Sequence, residues 1–213
     1  MTVVCLEGPS AAGKSTVARL VAARGHAVTV GEVNELFVRP PQESATWYLE
    51  RQVERWQRAV NAQSGASFVV LDGDPFQPLW YNWAYAQEGW PGLARLVDFY
   101  RPRLESGVLG FPDAYVLLRV PVPDLLNRRS GDRNRSRRNF EKHLNFIQPQ
   151  ARYFGVLDQL CPGYVCTIDA RDTAAVAEAV AVFAHGHPTN RPSALEIFDR
   201  AIEWLRMHDA RHS

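Results

Sequence analysis

Residues 3–16 read Val3-Val4-Cys5-Leu6-Glu7-Gly8-Pro9-Ser10-Ala11-Ala12-Gly13-Lys14-Ser15-Thr16, and this stretch decides the fold. Gly8 to Thr16 hold a complete G-x-x-x-x-G-K-[ST] phosphate loop. An apolar run leads in, and Val17-Ala18-Arg19-Leu20-Val21-Ala22 leads out, so the glycines sit at a strand-to-helix turn. Gly8 and Gly13 let the chain curl without a Cβ, the backbone N–H groups of such a loop point inward, and the following helix N-terminus adds positive potential. A polyphosphate is the natural guest, contacted by Gly8, Pro9, Ser10, Ala11, Ala12, Gly13, Lys14, Ser15 and Thr16. By the same motif Lys14 reaches the β and γ phosphates and the Ser15 hydroxyl holds a magnesium ion.

Working outward, the first helix runs from Lys14 to Arg24 and stops at Gly25, and a short strand follows over Ala27–Val30. Glu32 and Glu35 come directly off that strand, where ligands bind in a parallel α/β sheet. Leu49, Val53, Trp56 and Val60 recur at helical spacing within a helix expected over residues 44–64, with Glu50, Arg51, Gln52, Glu54, Arg55 and Arg58 on its other faces. Phe68-Val69-Val70-Leu71-Asp72 reads as a buried strand ending in a carboxylate, the position from which phosphate-loop proteins hold magnesium. The next stretch is crowded with Phe76, Trp80, Tyr81, Trp83, Tyr85 and Trp90, which serve either as core or as a box for a planar substrate.

Further on, a helix is expected over Leu93–Glu105, disturbed at Pro102, and a buried strand over Ala114–Val120. A helix then opens at Asp124. Another helix is expected over Phe140–Leu160 with a break near Pro149, then a fifth strand over Tyr164–Ile168 and a helix over Thr173–His185. The chain thus divides into a domain over residues 1–185, a linker over 186–192 and a C-terminal helix over 193–213 packed on the domain or extending from it, with Leu195, Phe198, Ile202 and Leu205 on one face.

Composition narrows the classes. With 46% hydrophobic and 22% charged residues, the 213-residue chain buries a real core. Its net charge of +1 argues against nucleic-acid partners and anionic membranes. No apolar run approaches a membrane span and no signal segment is legible, so a cytoplasmic location without membrane association is expected. Cys5, Cys161 and Cys166 are an odd set without a paired spacing, which argues against disulfides and zinc; Cys5 and Cys166 are expected to be buried thiols. A homodimer is permitted but not required.

One basic patch stands out. Arg128, Arg129, Arg133, Arg135, Arg137 and Arg138 place six arginines in eleven positions, and like charges at that density repel unless an anion neutralises them. Gly131, Asn134 and Ser136 make the stretch loop-like, as expected of a lid over residues 128–139 carrying guanidinium groups to phosphates.

Five strands alternating with helices, a phosphate loop after the first and arginines after the fourth together resemble the phosphate-loop nucleoside and nucleotide kinases, thymidylate and deoxynucleoside kinases in particular. The resemblance rests on Leu6 to Thr16, Pro112-Asp113-Ala114-Tyr115-Val116-Leu117-Leu118, the lid arginines and Val165-Cys166-Thr167-Ile168-Asp169-Ala170. It implies a three-layer α/β fold with a parallel five-stranded sheet in the order 2-3-1-4-5, magnesium-ATP as donor and lid arginines closing over the phosphates. It further implies that Arg128 stacks on adenine and that Asp169 to Arg171 line the base pocket. Two motifs differ: Gly31-Glu32-Val33 keeps only the acid of the thymidylate kinase Arg-Glu-Pro, and Asp72-Gly73-Asp74 lacks the arginine that deoxynucleoside kinases place after the third strand.

Phosphoryl transfer to a hydroxyl needs a carboxylate to orient it or take its proton. Glu32 is the first candidate, with Asp74 and Glu35 in reserve. Lys14 and Arg133 join Glu32 and Asp74 as catalytic candidates, and Ser15 and Asp72 are the metal candidates. Acceptor contacts are expected from Glu32, Arg51, Arg55, Asp74 and Trp80, with Arg39 joining if the acceptor is a monophosphate. The small-molecule acceptor is a nucleoside or nucleotide, or else another hydroxylated metabolite or antibiotic of chloramphenicol-like or sugar-like kind. A nucleotide-hydrolysing switch working through a protein partner is a further alternative, and a nucleic-acid end kinase or binder using the Arg128 to Arg138 cluster is the weakest, since the net charge is near neutral.

Overall fold

The computed structural model describes residues 2–25, 27–62, 67–85, 90–131 and 140–208, with the Lys142 side chain excepted. The phosphate-loop strand β1 (Thr2–Glu7) lies at the centre of a five-stranded parallel sheet in the order β2-β3-β1-β4-β5, where β2 is Ala27–Val30, β3 Phe68–Asp72, β4 Ala114–Arg119 and β5 Val165–Asp169. This is the order implied by the resemblance.

Central position explains the apolar runs, because a strand covered on both faces needs apolar residues at successive positions. In β1, Val3 and Cys5 enter one core while Val4 and Leu6 enter the other. Val69 and Leu71 alternate with Phe68 and Val70 in the same way, as do Tyr115 and Leu117 with Val116 and Leu118, following the two-residue period of a strand. Helices α1 (Lys14–Ala23) and α9 (Thr173–Gly186) pack together over one face through Val17, Val21, Val176 and Val180. The other face is covered by α3 (Trp47–Asn61), α4 (Gln77–Ala84), α5 (Leu93–Glu105), α8 (Ile147–Leu160) and α10 (Ala194–Met207). Short helices α2 (Val33–Leu36), α6 (Val122–Gly131) and α7 (Phe140–Leu144) complete the described chain.

Several expectations are corrected. The stretch expected as one helix from Phe140 to Leu160 is two, α7 and α8, and the break falls at residues 145–146 rather than at Pro149. Pro149 lies in the first turn of α8, where its missing N–H has no helical partner to lose. Pro102 sits in the last turn of α5, which continues past it to Glu105. Cys166 is half-buried, because β5 is an edge strand, and Cys161 is buried at the end of α8. Of the two placements left open for the last helix, α10 takes the packed one: Ile197, Phe198, Ala201, Ile202 and Leu205 join the larger core, against α5 and α8. Trp83 of α4 packs on Trp204 and donates its indole N–H to the His208 carbonyl at 2.7 Å.

Candidate functional site

The phosphate loop follows β1 as a turn whose two motif glycines have positive φ, 147° at Gly8 and 100° at Gly13. A Cβ on Gly8 would lie 2.7 Å from the Leu118 carbonyl oxygen, so this glycine is required for space as well as conformation. Ala11 holds φ at 71°, a left-handed backbone that costs an L-residue about 1–2 kcal/mol. Arg128 braces this turn. Its guanidinium donates to the carbonyls of Ala12 at 3.0 Å and Ala170 at 2.5 Å, and reaches that of Ala11 at 3.5 Å. Where adenine stacking was expected of Arg128, its guanidinium links the loop to the turn after β5.

Loop and sheet end open into one cavity of about 1680 Å³. Gly8 to Thr16, Glu32, Glu35, Arg39, Arg55, Asp72, Asp74, Trp80, Arg128 and Arg171 all line it. Sites for single drug-sized ligands are roughly 300–1,000 Å³, so this one has room for two molecules side by side. Arg171 sits at the exposed loop end, paired with Asp169 at 2.6 Å.

Lys14 crosses from the phosphate loop towards the carboxylates. Its Nζ donates to the Gly8 carbonyl at 3.1 Å and stands 3.8 Å from Glu32 Oε1. Burial works against its charge, but Glu32, Glu7 and Asp72 outweigh it and raise its pKa above the usual lysine value. Asp72 is 2% exposed, and among the described residues neither of its carboxylate oxygens has a hydrogen-bond partner. Burial raises its pKa, countered by Lys14 and by the Ser15 hydroxyl. Two orphaned, buried carboxylate oxygens near a motif hydroxyl suit a hard cation with oxygen ligands, so Ser15 and Asp72 fit a magnesium ion.

Behind them lies a polar network that the sequence analysis missed. Glu7, 3% exposed, accepts the N–H of Asp74 at 2.7 Å, the N–H of Gly8 at 3.2 Å and the amide of Gln150 at 2.8 Å. Burial raises its pKa against the opposing pull of Lys14. Asp74 is fully buried; its Oδ1 accepts from the Tyr115 hydroxyl at 2.9 Å and from the Phe76 N–H at 3.1 Å, while Oδ2 has no partner. Burial, then the neighbouring Glu7, push its pKa to about 8.

Arg55 and Gln52 correct the helix reading: both were assigned to outer faces of α3, and both are 1% exposed. Arg55 donates to the carbonyls of Gly31 at 2.7 Å, Asp72 at 2.6 Å and Gly73 at 3.0 Å, and to Gln52 Oε1 at 2.5 Å. It thus ties the ends of β2 and β3 together, with most of its donors occupied. Arg51 is not among the residues lining the cavity; it pairs with Glu54 at 2.5 Å and lies over the rings of Phe37 and Trp47. Arg129 likewise turns to Glu141 and Phe140. Arg133, Arg135, Arg137 and Arg138 lie outside the described residues.

The aromatic stretch divides. Phe76 and Trp80 belong to the core, Trp83 faces α10, and Tyr81 and Trp90 line the cavity beside Phe146 and His143. Tyr48, Gln77 and His143 were also missed; Tyr48 donates to Gln77 Oε1 at 2.8 Å, and the Tyr81 hydroxyl lies 3.3 Å from His143 Nε2. Residues spread singly over α3, α4 and α7 carry no spacing signal. Glu7 alone was legible, as an acid at a strand end beside the motif.

Phosphate loop, sheet order and flanking helices define the phosphate-loop kinase fold. No family model matches the sequence, and no curated protein matches it. The structure is similar to that of deoxyadenosine kinase from M. mycoides with bound dATP, at TM-score 0.56 and 17% identity over 84% of this chain and 96% of that one. It is also similar to thymidylate kinase from Candida albicans, at TM-score 0.57 and 14% identity over 94% and 93% of the two chains. A second M. mycoides deoxyadenosine kinase structure, with the products dCMP and dCDP, aligns at TM-score 0.54 and 16% identity, covering 84% of this chain and 96% of that one.

Proposed function

We propose that this protein is a phosphotransferase that moves the γ-phosphoryl group of magnesium-ATP to a small-molecule acceptor, a nucleoside or nucleotide first among them. The observation that carries this reading is the one cavity of about 1680 Å³ that the phosphate loop and the sheet end share, with Lys14 at its centre 3.8 Å from Glu32. The fold shared with deoxyadenosine and thymidylate kinases supports it.

The loop amides and Lys14 hold the β and γ phosphates and neutralise charge that builds on the transferred group. Ser15 and Asp72 would hold magnesium, which supplies further neutralisation of the phosphate oxygens when bound. Glu32 accepts the proton of the acceptor hydroxyl as that oxygen forms its bond to the γ phosphorus and the bond to the departing ADP breaks. Lys14, now turned to phosphate, releases Glu32 for this role. Glu7 and Gln150 fix the turn that carries Asp74, and Trp80, Tyr81 and Trp90 wall the acceptor. The described residues contain no helix long and apolar enough to cross a membrane.

Incubation with ATP, magnesium and a panel of nucleosides and nucleotides tests the reading. ADP release that depends on the acceptor, and that Lys14→Ala abolishes, is expected. Release indifferent to every acceptor would overturn it in favour of a hydrolytic switch.

A further inference from the structure

The acceptor half of the cavity is rich in carboxylates and poor in uncommitted cations. Glu32, Glu35 and Glu43 line it, and the arginines among the described lining residues on this side are Arg39 and Arg55. Arg55 is buried, with donors directed at three backbone carbonyls and Gln52. Moving it to an anion would strand those carbonyls. Arg39 stands at the exposed rim, where it donates to Glu43 at 3.0 Å and Asn34 at 3.1 Å. Among the described residues lining this side, His143 is the remaining basic group, and burial and Lys14 hold its pKa below the ordinary imidazole value.

Lys14 belongs to the donor phosphates by its place in the motif. A phosphate monoester within reach of Glu32 therefore meets like charge, with no described cation free to pair with it, and a desolvated anion without a partner is strongly disfavoured. A hydroxyl or ammonium group meets the opposite situation. Glu32 accepts from either group, and Tyr81 and Trp90 line the cavity with rings that tolerate a positive charge.

We infer that the acceptor is a neutral or positively charged alcohol without a phosphate group, and that the cavity selects against phosphate monoesters. This rests on the kinase reading above and narrows its acceptor class.

Matched pairs test it: thymidine and its 5′-monophosphate, deoxyadenosine and its 5′-monophosphate, and glucosamine and its 6-phosphate. Each is offered with ATP and magnesium, transfer is followed by mass spectrometry, and binding is measured calorimetrically with magnesium and a non-hydrolysable ATP analogue. The alcohol is expected to surpass its phosphate about 100-fold in kcat/KM in every pair that is used, since like-charge juxtaposition opposes the other member. Glu43→Lys, which removes a rim carboxylate and releases Arg39, is expected to raise monophosphate affinity about tenfold. A monophosphate preferred over its alcohol overturns the inference and leaves the kinase reading standing. Transfer to glucosamine alone overturns the nucleoside reading and supports the inference. Transfer to no member of any pair, with the ATP analogue bound, overturns both.

Discussion

The Glu7 carboxylate accepts the backbone N–H of Asp74 at 2.7 Å, so the last residue of the central strand holds the turn after its neighbour β3. Two buried acids are thereby kept close, and the pKa of Asp74 rises to about 8 through burial and through Glu7. A carboxyl raised on folding binds more protons folded than unfolded between its two pKa values. Its stabilising effect is complete below the unfolded carboxyl value and is lost as pH rises through about 8. Between those limits stability falls by up to about 1.4 kcal/mol per pH unit from this group. Asp74→Asn, which keeps an oxygen for Tyr115 and Phe76, is expected to flatten that slope. Thermal melts of both proteins from pH 5 to 9 check it, and parallel curves would show that Asp74 stays ionised.

Glu32→Gln removes the proposed base and keeps its shape. Turnover is expected to fall roughly 100- to 10,000-fold, with little change in ATP affinity. Steady-state rates alongside calorimetric ATP titration separate the two effects, and near-normal turnover would remove Glu32 from the reaction.

Arg55→Met leaves the carbonyls of Gly31, Asp72 and Gly73 without their donor. A loss of about 2–4 kcal/mol in unfolding free energy is expected, because buried acceptors left unpaired cost more than the bonds themselves contribute. Urea denaturation measures this directly, and a loss under about 1 kcal/mol would mean that water replaces the guanidinium.

Ala11 and Arg128 make a paired prediction. Ala11→Gly relieves the left-handed backbone but adds freedom to the unfolded chain, so a net gain of up to about 1 kcal/mol is expected. Arg128→Ala should leave global stability nearly unchanged and weaken ATP binding about tenfold, since the loop loses its tie to the turn after β5. Equal ATP affinity in wild type and Arg128→Ala would show that the loop holds its shape unaided.

Legibility in the sequence followed the range of the forces involved. β1, α1 and the loop between them are set by neighbours in sequence, so the motif and the apolar run Val3 to Leu6 identified them together. Sheet order came from the resemblance, and the pairing of β1 with both β3 and β4 agrees with it. Pro149 misled because proline ends a helix from within but is tolerated in its first turn, and only the position of Phe146 distinguishes the cases. Arg55 and Gln52 misled more deeply. A guanidinium and an amide on a helix read as solvent-facing, and their burial depends on carbonyls at Gly31, Asp72 and Gly73 that no local pattern announces. For the same reason Gln150, more than a hundred residues from Glu7, could not be tied to it from the sequence.

Helix α4 carries Trp80 and Tyr81 to the cavity and Trp83 towards α10, where the His208 carbonyl accepts its indole N–H. Trp204 and His208 therefore brace the helix that lines this side of the cavity. A bulky fusion placed just after His208 would be felt as a softer grip on the acceptor, far from any reacting atom, while capture of the triphosphate went on undisturbed.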